Sequence, residues 1–196
     1  MARFLKKWLE SGCRRLSKGG IRGRWALGWL MLISGTAFCA EPASKEQQLK
    51  AALLFNFTKF VEWSPASFPA PDSPIVIGVL GSNPFADEME NAVRNRNVNG
   101  RKISVKRLQG VAGAKGVHLL FVSAGEDARL GELGGALRGA NVLTVGESDA
   151  FTKSGGIITF VIVGGKVRFD INSTAAERAS VKISAQLQKL ARSVRK

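Results

Sequence analysis

Three short, unbroken apolar runs constrain this chain more than any other feature. Residues 75–80 (IVIGVL), 117–123 (VHLLFVS) and 141–146 (NVLTVG) each have the length of a strand, and none alternates strictly between apolar and polar side chains. A strand with one wet face must alternate, so such runs mark strands covered on both faces, as in a parallel sheet between helices. The stretches between them support that reading. After the first run, Asn83 is placed to cap a helix with Pro84 at its first position, predicting a helix over residues 85–94. Residues 102–108 then alternate through Ile103, Val105 and Leu108 as a further strand, and residues 126–138 read as a helix weakened by Gly131, Gly134 and Gly135.

The two ends of this core carry different signals. Leu49, Ala52, Leu53, Asn56, Phe57 and Phe60 recur at helical spacing, predicting a first helix that ends near Trp63. Pro65, Pro69, Pro71 and Pro74 then force an irregular surface crossing. Beyond Phe151, Gly164-Gly165 separates the apolar run 157–163 from residues 166–171, which alternate charged and apolar, the pattern of a hairpin with one wet face. Thr174 and Glu177 have the spacing of a capping box, and Ala176, Ala179, Ile183, Leu187, Leu190 and Val194 form the stripe of a docked C-terminal helix. The expected architecture is a single α/β domain with a mostly parallel sheet, helices on both faces, a C-terminal antiparallel hairpin and that final helix.

Charge appears at first to point elsewhere. The 196 residues carry a formal net charge of +14, which invites a nucleic-acid partner. Residues 1–40, however, hold eight basic residues against the single acid Glu10, so residues 41–196 keep only +7, spread along the chain rather than gathered in a stripe. The basic stretch precedes the apolar segment 25–33 (WALGWLMLI), too short to span hydrocarbon, and then small residues near Cys39 and Ala40. That order is a secretion signal, expected to be cleaved near residue 40 and to deliver residues 41–196 to the periplasm. A retained anchor and a lipidated Cys39 are the alternatives, the latter disfavoured by the bulky Phe38. Export argues against nucleic acid as a partner. Both cysteines, Cys13 and Cys39, fall in the leader, so the mature domain has no thiol chemistry.

Candidate chemistry is sparse. His118 is the only histidine, and no Ser, Asp or second His forms a triad or metal motif with it, so it reads as a hydrogen-bonded, partly buried side chain. The turn GVLGSNPF lacks the glycine and lysine spacing of a phosphate loop. Asp87-Glu88 and Glu126-Asp127 stand in the first turns of predicted helices, where they complement the dipole. Glu147 and Asp149 follow a buried strand, the end where open α/β sheets place ligands. On the hairpin, Lys166, Arg168 and Asp170 share the polar face, read either as a solvated surface or as a small recognition patch with Lys59 near the end of the first helix, and Trp63 reads as a core anchor or a contact residue. Lys59, Trp63, Glu147, Arg168 and Asp170 are thus the candidate contact residues. No catalytic set, metal site or cofactor is expected.

Three stretches together carry a family resemblance. Residues 50–63 (KAALLFNFTKFVEW), residues 79–85 (VLGSNPF) with Gly100-Arg101, and above all residues 142–187, with VLTVGESDAF, GGIITFVIVGGKVRFDIN and AAERASVKIS, resemble the YfiR family. The resemblance implies a periplasmic α/β protein, in some members dimeric, that represses an inner-membrane diguanylate cyclase of the GGDEF type by binding its periplasmic region. It also implies sequestration by an outer-membrane lipoprotein and an effect on cyclic-di-GMP and biofilm formation. Cysteine pairs found in some members are absent after residue 40, so redox control is not implied here. The second reading is a small-molecule sensor or solute-binding module with a cleft near Lys59, Arg168 and Asp170. An enzyme ranks third.

Overall fold

The structure is a computed structural model that describes residues 45–137 and 139–196. The expected leader, residues 1–40, lies outside the described residues. In chain order the elements are α1 (Lys45–Phe57), β1 (Val61–Glu62), β2 (Ile75–Leu80), α2 (Asn83–Val93), β3 (Asn97–Val98), β4 (Arg101–Leu108), β5 (Leu119–Val122), α3 (Leu130–Ala136), β6 (Leu143–Gly146) and α4 (Asp149–Lys153). There follow β7 (Ile158–Val163), β8 (Lys166–Asn172), α5 (Ser173–Arg178), β9 (Lys182–Ile183), α6 (Ala185–Leu190) and β10 (Ser193–Arg195).

The main sheet runs β10-β8-β7-β6-β5-β2-β4-β3. β4, β2, β5, β6 and β7 are mutually parallel, so the three apolar runs lie side by side at its centre. β2 comes first, β4 is laid on one side of it and β5 on the other, which gives the parallel strands a doubly wound order with its switch point between β2 and β5. β8 returns antiparallel to β7 through Gly164 and Gly165, whose φ angles of 56° and 70° are those of the hairpin turn expected there.

Alternate residues of each central strand face opposite layers. Ile77, Val79, Leu119, Phe121, Leu143 and Val145 pack under α1 and α2, where Leu54, Phe57, Phe85 and Met89 are fully buried. Leu80, Leu120 and Val122 face the other way, against Leu130, Leu133 and Phe151. Helices therefore cover both faces, as a strand without alternation requires. Phe151 makes the tightest contact of the second layer. A Cβ on Gly146 would lie 2.4 Å from its ring and one on Gly156 only 2.0 Å away, so these two glycines admit the ring.

The single docked C-terminal helix is the main departure. α5 ends after two turns, Ser180 takes a left-handed φ of 57°, and the β-branched Val181 and Ile183 flank and enter β9. β9 pairs antiparallel with β1, and β10 closes onto β8 in parallel register, Ser193 opposite Asp170. The inward positions survive at Ala176 and Leu187, but Leu190 and Val194 are exposed. Smaller shifts occur elsewhere. α1 stops at Phe57 rather than near Trp63, and the glycine-rich segment forms 3-10 turns over Ala124–Arg129 before the short α3. Ser82 caps α2, one residue before the expected Asn83, and Asn172, one of the three cap candidates Asn172, Ser173 and Thr174, caps α5.

Candidate functional site

The C-terminal ends of β2, β5 and β6 are where a doubly wound sheet binds ligands. Here that edge is filled. Gly81, at φ 101°, brings the chain so close to the loop after β5 that an added Cβ would lie 2.9 Å from Glu126 Cγ. The Ser82 N–H donates to Ser123 Oγ at 3.1 Å, and Ser148 Oγ donates to Asp127 Oδ1 at 2.6 Å. Glu147 is held by Lys50 of α1, whose Nζ lies 2.7 Å from it and 2.6 Å from Glu46. Burial alone would lower the Lys50 pKa, but the hydrogen bonds to Glu147 and Glu46 outweigh it and raise the ammonium above its usual value. Glu147 is thus a counter-ion tying the sheet edge to α1.

His118 and Trp63 form a second cluster. The His118 ring is 4 % exposed; its Nδ1 accepts from the Val76 N–H at 3.1 Å and its Nε2–H donates to the Ser67 carbonyl at 3.2 Å. Phe68 stacks on the ring at 4.4 Å, and the Arg101 guanidinium lies 3.8 Å over Phe68. Trp63 meets the ring edge-on and donates from Nε1 to the His118 carbonyl at 3.2 Å. Burial pushes the imidazole below its ordinary pKa, with Arg101 adding to the effect against the Ser67 hydrogen bond. The ring is a neutral brace between β2, β5 and the proline-rich crossing. Trp63 is an anchor for the same brace.

The remaining candidates divide. Lys166 and Arg168 are exposed on one face of β8, as the alternation predicts. Asp170 shares their side of the strand but is only 6 % exposed, because Arg192 grips both carboxylate oxygens, with Nε 2.8 Å from Oδ1 and Nη2 on Oδ2. Hydrogen bonding from Arg192 is the leading cause that holds this carboxyl below the usual aspartate pKa. Lys59 lies instead with Arg96, both over the Phe55 ring at 4.4 and 4.8 Å. Of the three residues expected to line a cleft, Asp170 is thus engaged by Arg192 and Lys59 by the Phe55 ring, while Arg168 is exposed.

Sequence reasoning missed the tip of the hairpin. Ile162 and Val163 are 51 % and 45 % exposed; Val163 pairs with Lys166 on the face that also carries Arg168, and Ile162 pairs with Val167 on the opposite face. The signal was present, since the run IVIGVL is matched at β7 by ITFVIV, whose last two residues have no second layer to cover them. Among the described residues no group of His, Cys, Asp and Glu could hold a metal ion, and no helix is long and apolar enough to cross a membrane.

Comparison with known proteins agrees with this architecture. A conserved domain protein from Vibrio cholerae O1 biovar El Tor superposes with a TM-score of 0.53 at 12 % identity, covering 76 % of this chain and 60 % of that one. The ABC domain in complex with L-Trp from Streptococcus pneumonia gives a TM-score of 0.49 at 13 % identity with the same coverage. This chain spans about 60 % of the length of each, and the first likeness shows the α/β fold alone. None of the curated proteins matches the sequence. Residues 47–192, most of the chain, match the sequence model of one family, and the protein accordingly belongs to the YfiR/HmsC-like family.

Proposed function

We propose that this protein is a periplasmic regulator that represses an inner-membrane diguanylate cyclase by binding its periplasmic sensory region. YfiR-like proteins are periplasmic regulators of cyclic-di-GMP signalling that act with membrane signalling proteins. The observation that carries the reading for this chain is the β7–β8 hairpin tip, where Val163 stands exposed on the face of the cations Lys166 and Arg168 and Ile162 stands exposed on the opposite face of the ribbon, across from Val167. Covering both apolar side chains contributes on the order of 2 kcal/mol to an interface, and the flanking charges select an acidic partner surface. Repression follows only if the cyclase's inactive conformation is bound more tightly than its active one.

The test uses the purified protein and the periplasmic regions of the inner-membrane GGDEF proteins of the same organism. Ile162→Glu combined with Val163→Glu weakens binding by about tenfold or more, equivalent to about 1.4 kcal/mol, with an unchanged melting temperature. Deletion of the gene raises cellular cyclic-di-GMP. Unaltered cyclic-di-GMP in the deletion strain, or full binding by the double variant, refutes the proposal.

A further inference from the structure

A groove of about 580 Å³ opens on the second face of the sheet, away from the hairpin tip. Val122, Val142, Phe151 and Ile157 contribute its apolar floor, and α3 with Leu130 and Leu133 forms one wall. Asn172, Thr174 and Arg178 stand at the α5 side. The volume is that of a small-molecule site, about 300–1,000 Å³. Thr144 and Ser154 also line it, each with its hydroxyl already hydrogen-bonded within the fold. Asn172 uses Oδ1 to accept from the Ala175 N–H at 3.0 Å, which leaves its amide donors for another partner. Arg178 is exposed, is the only charged residue among the described groove residues, and is held by none of the ion pairs among the described residues.

The α3 wall adds an independent observation. Three of its seven residues, Gly131, Gly134 and Gly135, are glycine, and all three line the groove. None has positive φ, and a Cβ added at any of them meets no atom within 4 Å. Neither backbone geometry nor packing requires glycine there, and glycine weakens a helix relative to alanine. What the three glycines do is keep the groove open and let an occupant approach the helix backbone closely.

We propose that this groove binds an amphipathic monoanion, a carboxylate on an apolar body. The head is held by Arg178 and the Asn172 amide, and the body lies along the glycine wall and over Phe151. The site is separate from the hairpin surface and stands or falls independently of the regulatory reading.

The test is titration of the protein with decanoate, with decanol as the neutral control and 1-naphthoate as the ring-bodied probe, followed by amide resonances of the three glycines. Saturable shifts with either carboxylate support the site, and the stronger binder distinguishes an acyl from an aromatic body. Decanol binds at least about tenfold more weakly, and Arg178→Glu weakens the carboxylate by about the same factor without changing the melting temperature. The triple variant Gly131→Ala, Gly134→Ala and Gly135→Ala melts higher yet binds more weakly. Absence of saturable binding by both carboxylates, undiminished affinity in either variant, or a lower melting temperature in the triple variant overturns the proposal.

Discussion

Adding one methyl group at Gly156 and the same methyl group at Gly134 is expected to change stability in opposite directions. Gly156 has no positive φ, so alanine suits its backbone, and the whole cost is steric. The new Cβ falls 2.0, 2.4 and 2.5 Å from three carbons of the Phe151 ring, which is 4 % exposed. Such an overlap must push the ring from its place in the core, and overpacking of this kind costs about 1–3 kcal/mol. The overlap is deep and the ring also fills the space above Gly146, so the upper end, about 3 kcal/mol, applies. For a protein of this size that is about 6–12 °C in melting temperature. At Gly134 the methyl meets nothing, and the helix gains about 0.5–1 kcal/mol. Urea unfolding at neutral pH measures both. The double variant Phe151→Leu with Gly156→Ala should lose less than the sum of its single variants, since the smaller side chain relieves the overlap. A Gly156→Ala protein within about 1 kcal/mol of the parent would refute the steric reasoning.

Three further outcomes follow from the buried polar pairs. Arg192→Ala removes the Asp170 partner, so amide exchange in β10 speeds up at neutral pH; Asp170 titrates below its ordinary 3.8, so the stability that it confers is present above that value and fades as pH falls through the lowered one, where the variant and parent converge. His118 sits below its ordinary 6.5, hence the folded state binds fewer protons than the unfolded chain and stability declines as pH drops beneath 6.5; urea midpoints at pH 8 and 5.5 measure this, and His118→Gln, which can still accept and donate, flattens the slope. Lys50→Ala leaves Glu147 without its cation and costs more than about 1 kcal/mol, whereas Lys50→Met, which keeps the apolar stem, costs less by the same unfolding assay; equal losses would show that the lost charge alone is at stake and that the stem contributes nothing.

The central strands were legible because their physics is local. A strand buried on both faces must be apolar throughout, and β2 occupies the very run 75–80 that announced it. The C-terminal region was not legible for the opposite reason. Ala176, Ile183 and Leu187 repeat at helical spacing, yet Ser180 turns left-handed and residues 182–183 pair with β1, a contact that no window of twenty residues contains. The candidate residues show the same division. Exposure of Lys166 and Arg168 followed from alternation along one strand, whereas Glu147 meets Lys50 across 97 positions and Asp170 meets Arg192 only because β10 folds back onto β8. The three glycines of α3 were visible as a weakness of that helix; that they face a groove depends on β6, β7 and α5 arriving around it.

The two-stranded ribbon of β1 and β9 has a kinetic consequence. Val61 pairs with Ile183, so segments more than a hundred residues apart must meet before the ribbon exists, and the entropy of closing so large a loop is met only when most other contacts are in place. Topology of this kind slows folding and makes it cooperative.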